Sequence, residues 1–424
     1  MRDIILIQVS GGDRPGLTAA FTRILAQFHL NILDMGQAVI HDTLSLGILV
    51  EVPPGAEAAP MIKDLLFEAH KLKISVRFQP IDLERYSEWV AGQGKDRYII
   101  TLLARKITAE QLSDVTAVVA DNALNIDSIN RLSGRVQLEP EGDAPAATDQ
   151  RACIEISVRG EPKDAEAMRA AFLHIANERN VDIAFQKDSA FRRNRRLVVF
   201  DMDSTLIESE VIDELAAEAG VGEQVAAITE RAMQGELDFN DSFRARVALL
   251  KGLDADALHR VQQRIRLTEG AERLIGTLKA LGYSTAILSG GFTWFGEYLK
   301  ARLGINHVYA NELEIENGKV TGRVVGQIVN GQRKAELLRA IAEQEGISLE
   351  QVIAVGDGAN DLPMLSIAGL GIAFRAKPLV KETAKQAIST LGLDGILYLI
   401  GVRDRDQAEL LSAGLAAREN LTAD

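Results

Sequence analysis

Two carboxylates one residue apart, Asp201 and Asp203, close the apolar stretch Leu197-Val198-Val199-Phe200, and the hydroxyls of Ser204 and Thr205 follow at once. Four apolar residues without alternation read as a strand buried on both faces, as in a parallel sheet. Ending such a strand in two acids is costly unless a cation or a reaction needs them. Strand tips are also where open parallel sheets hold their ligands. An aspartate there, beside a bound metal, has the chemistry to attack phosphorus and carry it as an acyl phosphate.

Three further groups stand at element ends. An apolar run over residues 283–288 leads into Ser289-Gly290-Gly291, whose hydroxyl and backbone N–H groups suit phosphate oxygens. Lys334 follows Gly331-Gln332-Arg333 at the head of an apolar-periodic helix through Ile341. Residues 352–355 end in Gly356-Asp357-Gly358-Ala359-Asn360-Asp361, an acidic loop loosened by glycine. Each has a bland reading alone: a turn, a surface lysine, a surface acidic loop. In order along one chain they supply what phosphoryl transfer needs: a nucleophile, an acid–base partner, an oxyanion cradle and a cation site. An oxygen-only donor set suits magnesium.

A chain of 424 residues should hold two or three domains around these groups. Its composition, 47% hydrophobic and 25% charged, is that of a soluble globular protein. A net charge of −13 argues against a general nucleic-acid binder and requires a local positive site for any anionic substrate. Cys153 is the one cysteine, which excludes an internal disulfide framework and a cysteine-rich zinc site. No signal-peptide pattern and no apolar run of membrane-spanning length is present, so a cytoplasmic protein is expected.

The positioning elements fall into two arrays and a core. Strand signals at 4–9, 31–40, 43–52 and 74–81 enclose helical periods at 17–28 and 59–71, with a hairpin turn at His41-Asp42. This order is the ferredoxin-like split βαβ arrangement. It recurs with strands at 97–104, 126–136, 152–158 and 181–185 and helices at 108–121 and 164–178, interrupted by a loose loop over 138–150. Arg192-Arg193-Asn194-Arg195-Arg196 reads as a solvated linker. From Leu197 the pattern is α/β, with strands at 198–200, 283–288 and 352–355 and a charged helical insertion, about 210–263, placed to cover the strand tips. Expected domains are therefore 1–85, 95–187 and 195–401, followed by a polar helical tail over 402–424.

The four motifs resemble those of the haloacid-dehalogenase-like phosphatases, and stretches 208–214, 239–247 and 355–361 are similar to the phosphoserine phosphatases within that superfamily. The resemblance spans roughly 195–401. It implies a Rossmann-like parallel-sheet core with a helical cap and an Mg2+-dependent hydrolysis of O-phospho-L-serine to L-serine and phosphate, the last step of serine biosynthesis. Asp201 would be the nucleophile, and Asp203 the proton donor and later base. The metal would sit on the Asp201 and Asp357 carboxylates and the Asp203 backbone carbonyl, with Asp361 supporting its shell. Ser289, Gly290 and Lys334 would bind the phosphoryl oxygens, and Asn360 phosphate or water. Glu210 would meet the substrate ammonium, Arg246 its carboxylate, and Met233 and Phe239 would form an apolar wall. A phosphothreonine phosphatase, a phosphotransferase to homoserine, and an amino-acid-sensing regulator on an inactive scaffold remain open.

Gly12-Asp13-Arg14-Pro15-Gly16-Leu17 resembles the signature loop of ACT domains, with Asn31, Ile32 and Asp34 opening the next strand. That likeness implies amino-acid binding, with serine as possible effector at Asp13, Gly16 and Asn31, and side-by-side association in a homodimer. The second array has Asn125-Ile126-Asp127 in the matching place but Ala104-Arg105-Lys106-Ile107-Thr108 for its first loop, which lacks the turn residues. A structural role is expected of it.

Overall fold

The computed structural model describes residues 3–53, 57–135 and 150–410. One compact unit ends at Lys95 and a second begins at Asp96.

The first unit is a four-stranded antiparallel sheet of β1 (Asp3–Gly12), β2 (Asn31–Ile40), β3 (Thr43–Val52) and β4 (Ser75–Ile81), in the order β2-β3-β1-β4. Period-2 alternation puts Ile5, Ile7 and Val9 of β1 and Leu44, Leu46, Ile48 and Val50 of β3 on one buried face. Helices Leu17–Gln27 and Ala58–Leu72 cover that face with Phe21, Leu25 and Leu65. The hairpin turns at His41-Asp42, with Ile40 paired to Thr43. A helix that the sequence pattern does not announce, Leu83–Ala91, closes the unit. The Asp82 carboxylate caps it at 2.7 Å from the Arg85 amide, and its apolar residues Leu83, Trp89 and Val90 stay exposed.

The second unit starts with β5 (Arg97–Ala104), β6 (Asn125–Arg131), β7 (Ala152–Arg159) and β8 (Asp182–Lys187), in the order β6-β7-β5-β8, under helices Ala109–Asp121 and Ala165–Arg179. Strand β6 ends at Arg131, short of the expected residue 136, because Leu132 turns into the core and Ser133 accepts the Cys153 amide at 3.1 Å. Most of the expected loose loop, 138–149, lies outside the described residues, as does the tail from 411.

The same unit continues into a seven-stranded sheet of β9 (Leu197–Phe200), β10 (Ser284–Phe292), β11 (His307–Glu316), β12 (Lys319–Val325), β13 (Val352–Gly356), β14 (Leu370–Phe374) and β15 (Gln386–Ile388). Its order is β12-β11-β10-β9-β13-β14-β15, parallel throughout except for β12. Helices Val211–Glu218, Gly222–Met233, Phe239–Leu249 and Asp256–Arg264 form the expected cap between β9 and β10.

Two expectations change here. Arg192 and Arg195 are buried rather than solvated: Arg192 pairs with Glu155, and Arg195 donates to the carbonyls of Glu350 and Gly369. The guanidiniums are drawn in because carboxylate and carbonyl oxygens from other elements converge there. The second array is also no free-standing domain. Leu103, Cys153 and Ala184 share one apolar cluster with Phe200 and Phe374 of the seven-stranded sheet. Gln386 on β15 exchanges two hydrogen bonds with the Phe185 backbone, at 3.0 and 2.7 Å. The Asp182 carboxylate accepts the Ser389 and Thr390 amides and the Thr390 hydroxyl.

Candidate active site

The chain leaves β9 for β10 on one side and returns to β13 on the other, which opens a crevice at the tip of β9. Asp201 stands there, its amide donating to the Val355 carbonyl at 2.8 Å. Its Oδ1 accepts the Met202 amide at 2.7 Å and lies 2.9 Å from Lys334 Nζ. Lys334 comes from the first turn of helix Gly331–Gln344, which Asn330 caps through the Arg333 amide at 2.9 Å. The same ammonium lies 2.7 Å from Asp361 Oδ1, and Asp361 Oδ2 accepts the Gly358 amide at 2.9 Å. All three side chains are buried.

The backbone reverses after Asp201, with Ser204 in the left-handed region at φ 55°. The turn lets Asp203 Oδ1 accept the Val211 amide at 2.9 Å, while the Ser289 hydroxyl donates to Oδ2 at 3.4 Å. Ser289 Oγ in turn accepts the Gly291 amide at 2.8 Å. Residue 291 has to be glycine, since a Cβ there would stand 2.4 Å from Asp203 Oδ2. Thr205 donates to Asp357 Oδ1 at 3.1 Å.

A cavity of about 720 Å³ lies over these groups. Asp201, Asp203, Gly290, Asp357 and Asn360 line its core side, and Glu210, Phe239 and Arg246 its cap side. Ser289, Lys334 and Asp361 are buried beneath, joined to it by the bonds to Asp203 and Asp201. Glu210 precedes helix Val211–Glu218 and accepts the Ser204 hydroxyl at 2.9 Å. Phe239 lies parallel to Phe243 at 6.2 Å, and its ring edge stands over Gly290. The Met233 side chain lies outside the described residues. Asp13, Gly16 and Asn31 belong to the first unit, where the Asp13 amide donates to the Asp42 carbonyl at 2.6 Å, Gly16 has φ 92° and Asn31 donates to Glu51 at 3.1 Å.

Charge is out of balance at the crevice. Burial pushes the Asp203 carboxyl up to about 8, with the Glu210 charge adding to it. Burial, then Asp361 and Glu210, raise Asp357 to about 7. Asp201 moves in the same direction through burial and the Asp361 charge. Burial disfavours the Lys334 ammonium, but the Asp201 and Asp361 carboxylates outweigh it and keep Lys334 protonated. Arg246 is lowered by burial, with Glu210, Asp213 and Asp203 opposing that shift. One lysine cannot neutralise this many carboxylates. Oxygens of Asp201, Asp357 and Asp361 lie within 4.8 Å of one another, a donor set that fits a hard divalent cation.

Several contributors carry no signal of their own in the sequence. Asn311 on β11 is buried and donates to the Gly290 carbonyl at 2.8 Å while accepting the Val329 amide at 2.9 Å, so it fixes the loop over 289–291. Asp213 lines the cavity against Arg246 and was visible only as part of the stretch 208–214. Lys377, Leu379 and Val380, beyond β14, form another wall.

A family model for haloacid dehalogenase-like hydrolases matches residues 198–366, and one for ACT domains matches residues 3–79. The phosphoserine phosphatase of Streptomyces coelicolor is 41% identical over 412 residues, covering 96% of this chain and 93% of that protein. The phosphoserine phosphatase of Mycobacterium tuberculosis is 41% identical, covering 97% of this chain and 96% of its own. Among solved structures, a HAD-family hydrolase from Salmonella enterica serovar Typhi superposes with a TM-score of 0.61 at 32% identity, covering 72% of this chain and 99% of that one. A probable phosphoserine phosphatase from Vibrio cholerae gives 0.56 at 34% identity, covering 78% and 90%. The chain belongs to the phosphoserine phosphatase family of haloacid dehalogenase-like hydrolases and carries an ACT domain ahead of its catalytic part.

Proposed function

We propose that the chain hydrolyses O-phospho-L-serine to L-serine and inorganic phosphate through an aspartyl-phosphate on Asp201, with Mg2+ as its cation. One observation carries this reading: a single cavity joins the Asp201, Asp203 and Asp357 carboxylates to a cap wall bearing Glu210 and Arg246. That wall offers one anion and one cation, which matches the ammonium and carboxylate that phosphoserine bears besides its phosphate.

Asp201 Oδ attacks phosphorus as the bond to the seryl oxygen breaks, and Asp203, held protonated by its raised pKa, gives its proton to that oxygen. Serine leaves. The Asp203 carboxylate then takes a proton from water as the water oxygen attacks the phosphorus. Phosphate departs and the Asp201 carboxylate is restored. Ser289, the Gly290 amide and Lys334 supply donors to the phosphoryl oxygens, and Phe239 with the cap excludes bulk water. Asp201, Asp357 and the Asp203 carbonyl would hold Mg2+, supported by Asp361, and the ion would neutralise phosphoryl charge.

The same reading makes the chain a cytoplasmic enzyme of serine biosynthesis and a homodimer whose first unit senses serine. The exposed apolar residues of β2, Ile32, Met35, Val39 and Ile40, support a dimer contact there, and the left-handed turn at Gly16 supports a ligand loop. Phosphate release by the full chain, with and without Mg2+, tests the central claim. Asp201→Asn should abolish it, and turnover near the wild-type level would remove the covalent mechanism.

A further inference from the structure

On the substrate side the cap meets the core through two adjacent residues of helix Phe239–Leu249. Phe239 stands over Gly290, and Asn240 Oδ1 accepts a hydrogen bond from Asn330 Nδ2 at 3.1 Å. Asn330 is a fixed point of the core. Its Oδ1 accepts the Arg333 amide at 2.9 Å, capping the helix that carries Lys334, and its carbonyl accepts the Lys334 amide at 2.8 Å. Asn311 accepts the neighbouring Val329 amide, and a Cβ at Gly331 would stand 2.6 Å from the Asn360 carbonyl oxygen. The far end of the cap is held differently. The Gly252 amide donates to the Val320 carbonyl at 2.8 Å, the Val320 amide to Leu253 at 2.9 Å and the Ala255 amide to Gly318 at 2.9 Å. Trp294 Nε1 donates to Gln262 on helix Asp256–Arg264 at 2.9 Å, and Ile207 bridges Leu267 where the chain enters and leaves the cap.

Backbone bonds thus anchor helix Phe239–Leu249 beyond its C-terminal end, whereas its N-terminal end is seated by a hydrogen bond between two half-buried neutral side chains. Such a bond is worth roughly 2- to 10-fold in an equilibrium, enough to hold a contact and weak enough to release it. We propose that the Asn240–Asn330 bond is the releasable contact that seats the cap over the substrate cavity, and that both asparagines are positioning residues for phosphoserine binding. Arg246 lies further along the same helix, so seating its N-terminal end brings Phe239 and the guanidinium into the cavity wall together. With the bond made, the empty cap already holds the binding geometry. With it broken, the substrate must close the cap through its own contacts, and its apparent affinity falls by the fraction of protein that is closed. The rate at saturation is set by Asp201, Asp203 and Lys334, which the core holds without the cap bond.

The kinetic part rests on the phosphatase reading, whereas the seating of the cap does not. Asn240→Ala removes the acceptor and should raise KM for phosphoserine at least about threefold, with kcat changed by less than about twofold. Asn240→Asp still accepts from Asn330 and should keep KM within about twofold of the wild type. The double variant Asn240→Asp/Asn330→Asp, assayed above neutral pH, sets two ionised acceptors against each other while residue 330 still caps its helix. Its KM should exceed the product of the two single effects at least about fivefold. Hydrogen exchange on the full chain without substrate reads the seating independently of turnover. Amides over 238–246 should exchange at least about threefold faster in Asn240→Ala and in the double variant than in the wild type or Asn240→Asp, while those over 252–255 stay unchanged. An unchanged KM in Asn240→Ala, a fall in kcat in its place, or failure of Asn240→Asp to restore KM overturns the positioning role. Equal exchange in all four proteins overturns the seating. Inactivity of the wild type toward phosphoserine, alongside the expected exchange pattern, counts against the phosphatase reading alone.

Discussion

Lys334 Nζ lies 2.9 Å from Asp201 Oδ1, with both side chains shut off from water. In the proposed reaction, an ammonium in contact with this carboxylate orients it for attack. The same ammonium lowers the repulsion that an incoming phosphate dianion meets.

Removing that ammonium should therefore cost both rate and fold stability. Lys334→Met should reduce kcat by about 10²–10³-fold, the range for one lost oxyanion donor. Thermal unfolding should show a destabilisation of about 3–5 kcal/mol, because Asp201 and Asp361 are left buried without a counter-charge. Steady-state kinetics and melting curves check both parts.

Asp203 gives the reaction a leaving-group signature. Its carboxyl, raised to about 8, is the neutral acid below that pH and loses the donated proton above it. Phosphoserine turnover should fall as pH rises past that value, because a seryl oxygen leaves poorly without a proton. Asp203→Asn should cost about 10²–10⁴-fold on phosphoserine and much less on p-nitrophenyl phosphate, whose phenolate needs no acid. Equal losses on both substrates would refute the acid role.

Divalent cation should reverse a pH-dependent weakness. Asp203 and Asp357 have folded values of about 8 and about 7, above the unfolded value of 3.8. The unfolded chain thus gives up these protons first, so without cation stability is greatest in acid and is lost as pH rises from about 4 to 8. Added Mg2+ should flatten that decline and release about one proton per ion near neutral pH. Chemical denaturation across pH, and calorimetry in two buffers of different ionisation enthalpy, measure these effects.

Arg246 is half-buried among Glu210, Asp213 and Asp203, and its Nε has no partner among the described residues. Arg246→Ala should raise KM for phosphoserine and lower kcat/KM about 10- to 100-fold, with little change on an aryl phosphate lacking a carboxylate. Loss of the same size on both substrates would place Arg246 in support of the cap instead.

The residues that the structure gathers at the crevice were legible because each sits beside a local marker. Asp201 and Asp203 end an uninterrupted apolar strand, Ser289 opens a glycine pair, and Asp357 and Asp361 share one glycine-loosened loop. Strand and helix periods over a few residues sufficed to read both ferredoxin-like arrays and the cap. The tertiary structure alone decided the rest. Arg192 and Arg195 resemble any solvated basic run until Glu155, Glu350 and Gly369 arrive from remote segments to accept their hydrogen bonds. Asn311 becomes a brace for Gly290 only when β11 lies beside β10. The second array belongs with the catalytic sheet because Leu103, Cys153 and Ala184 meet Phe200 and Phe374 across long stretches of chain. Periodicity reports which face of an element is apolar, while the partner that buries it is chosen by contacts the local pattern cannot contain.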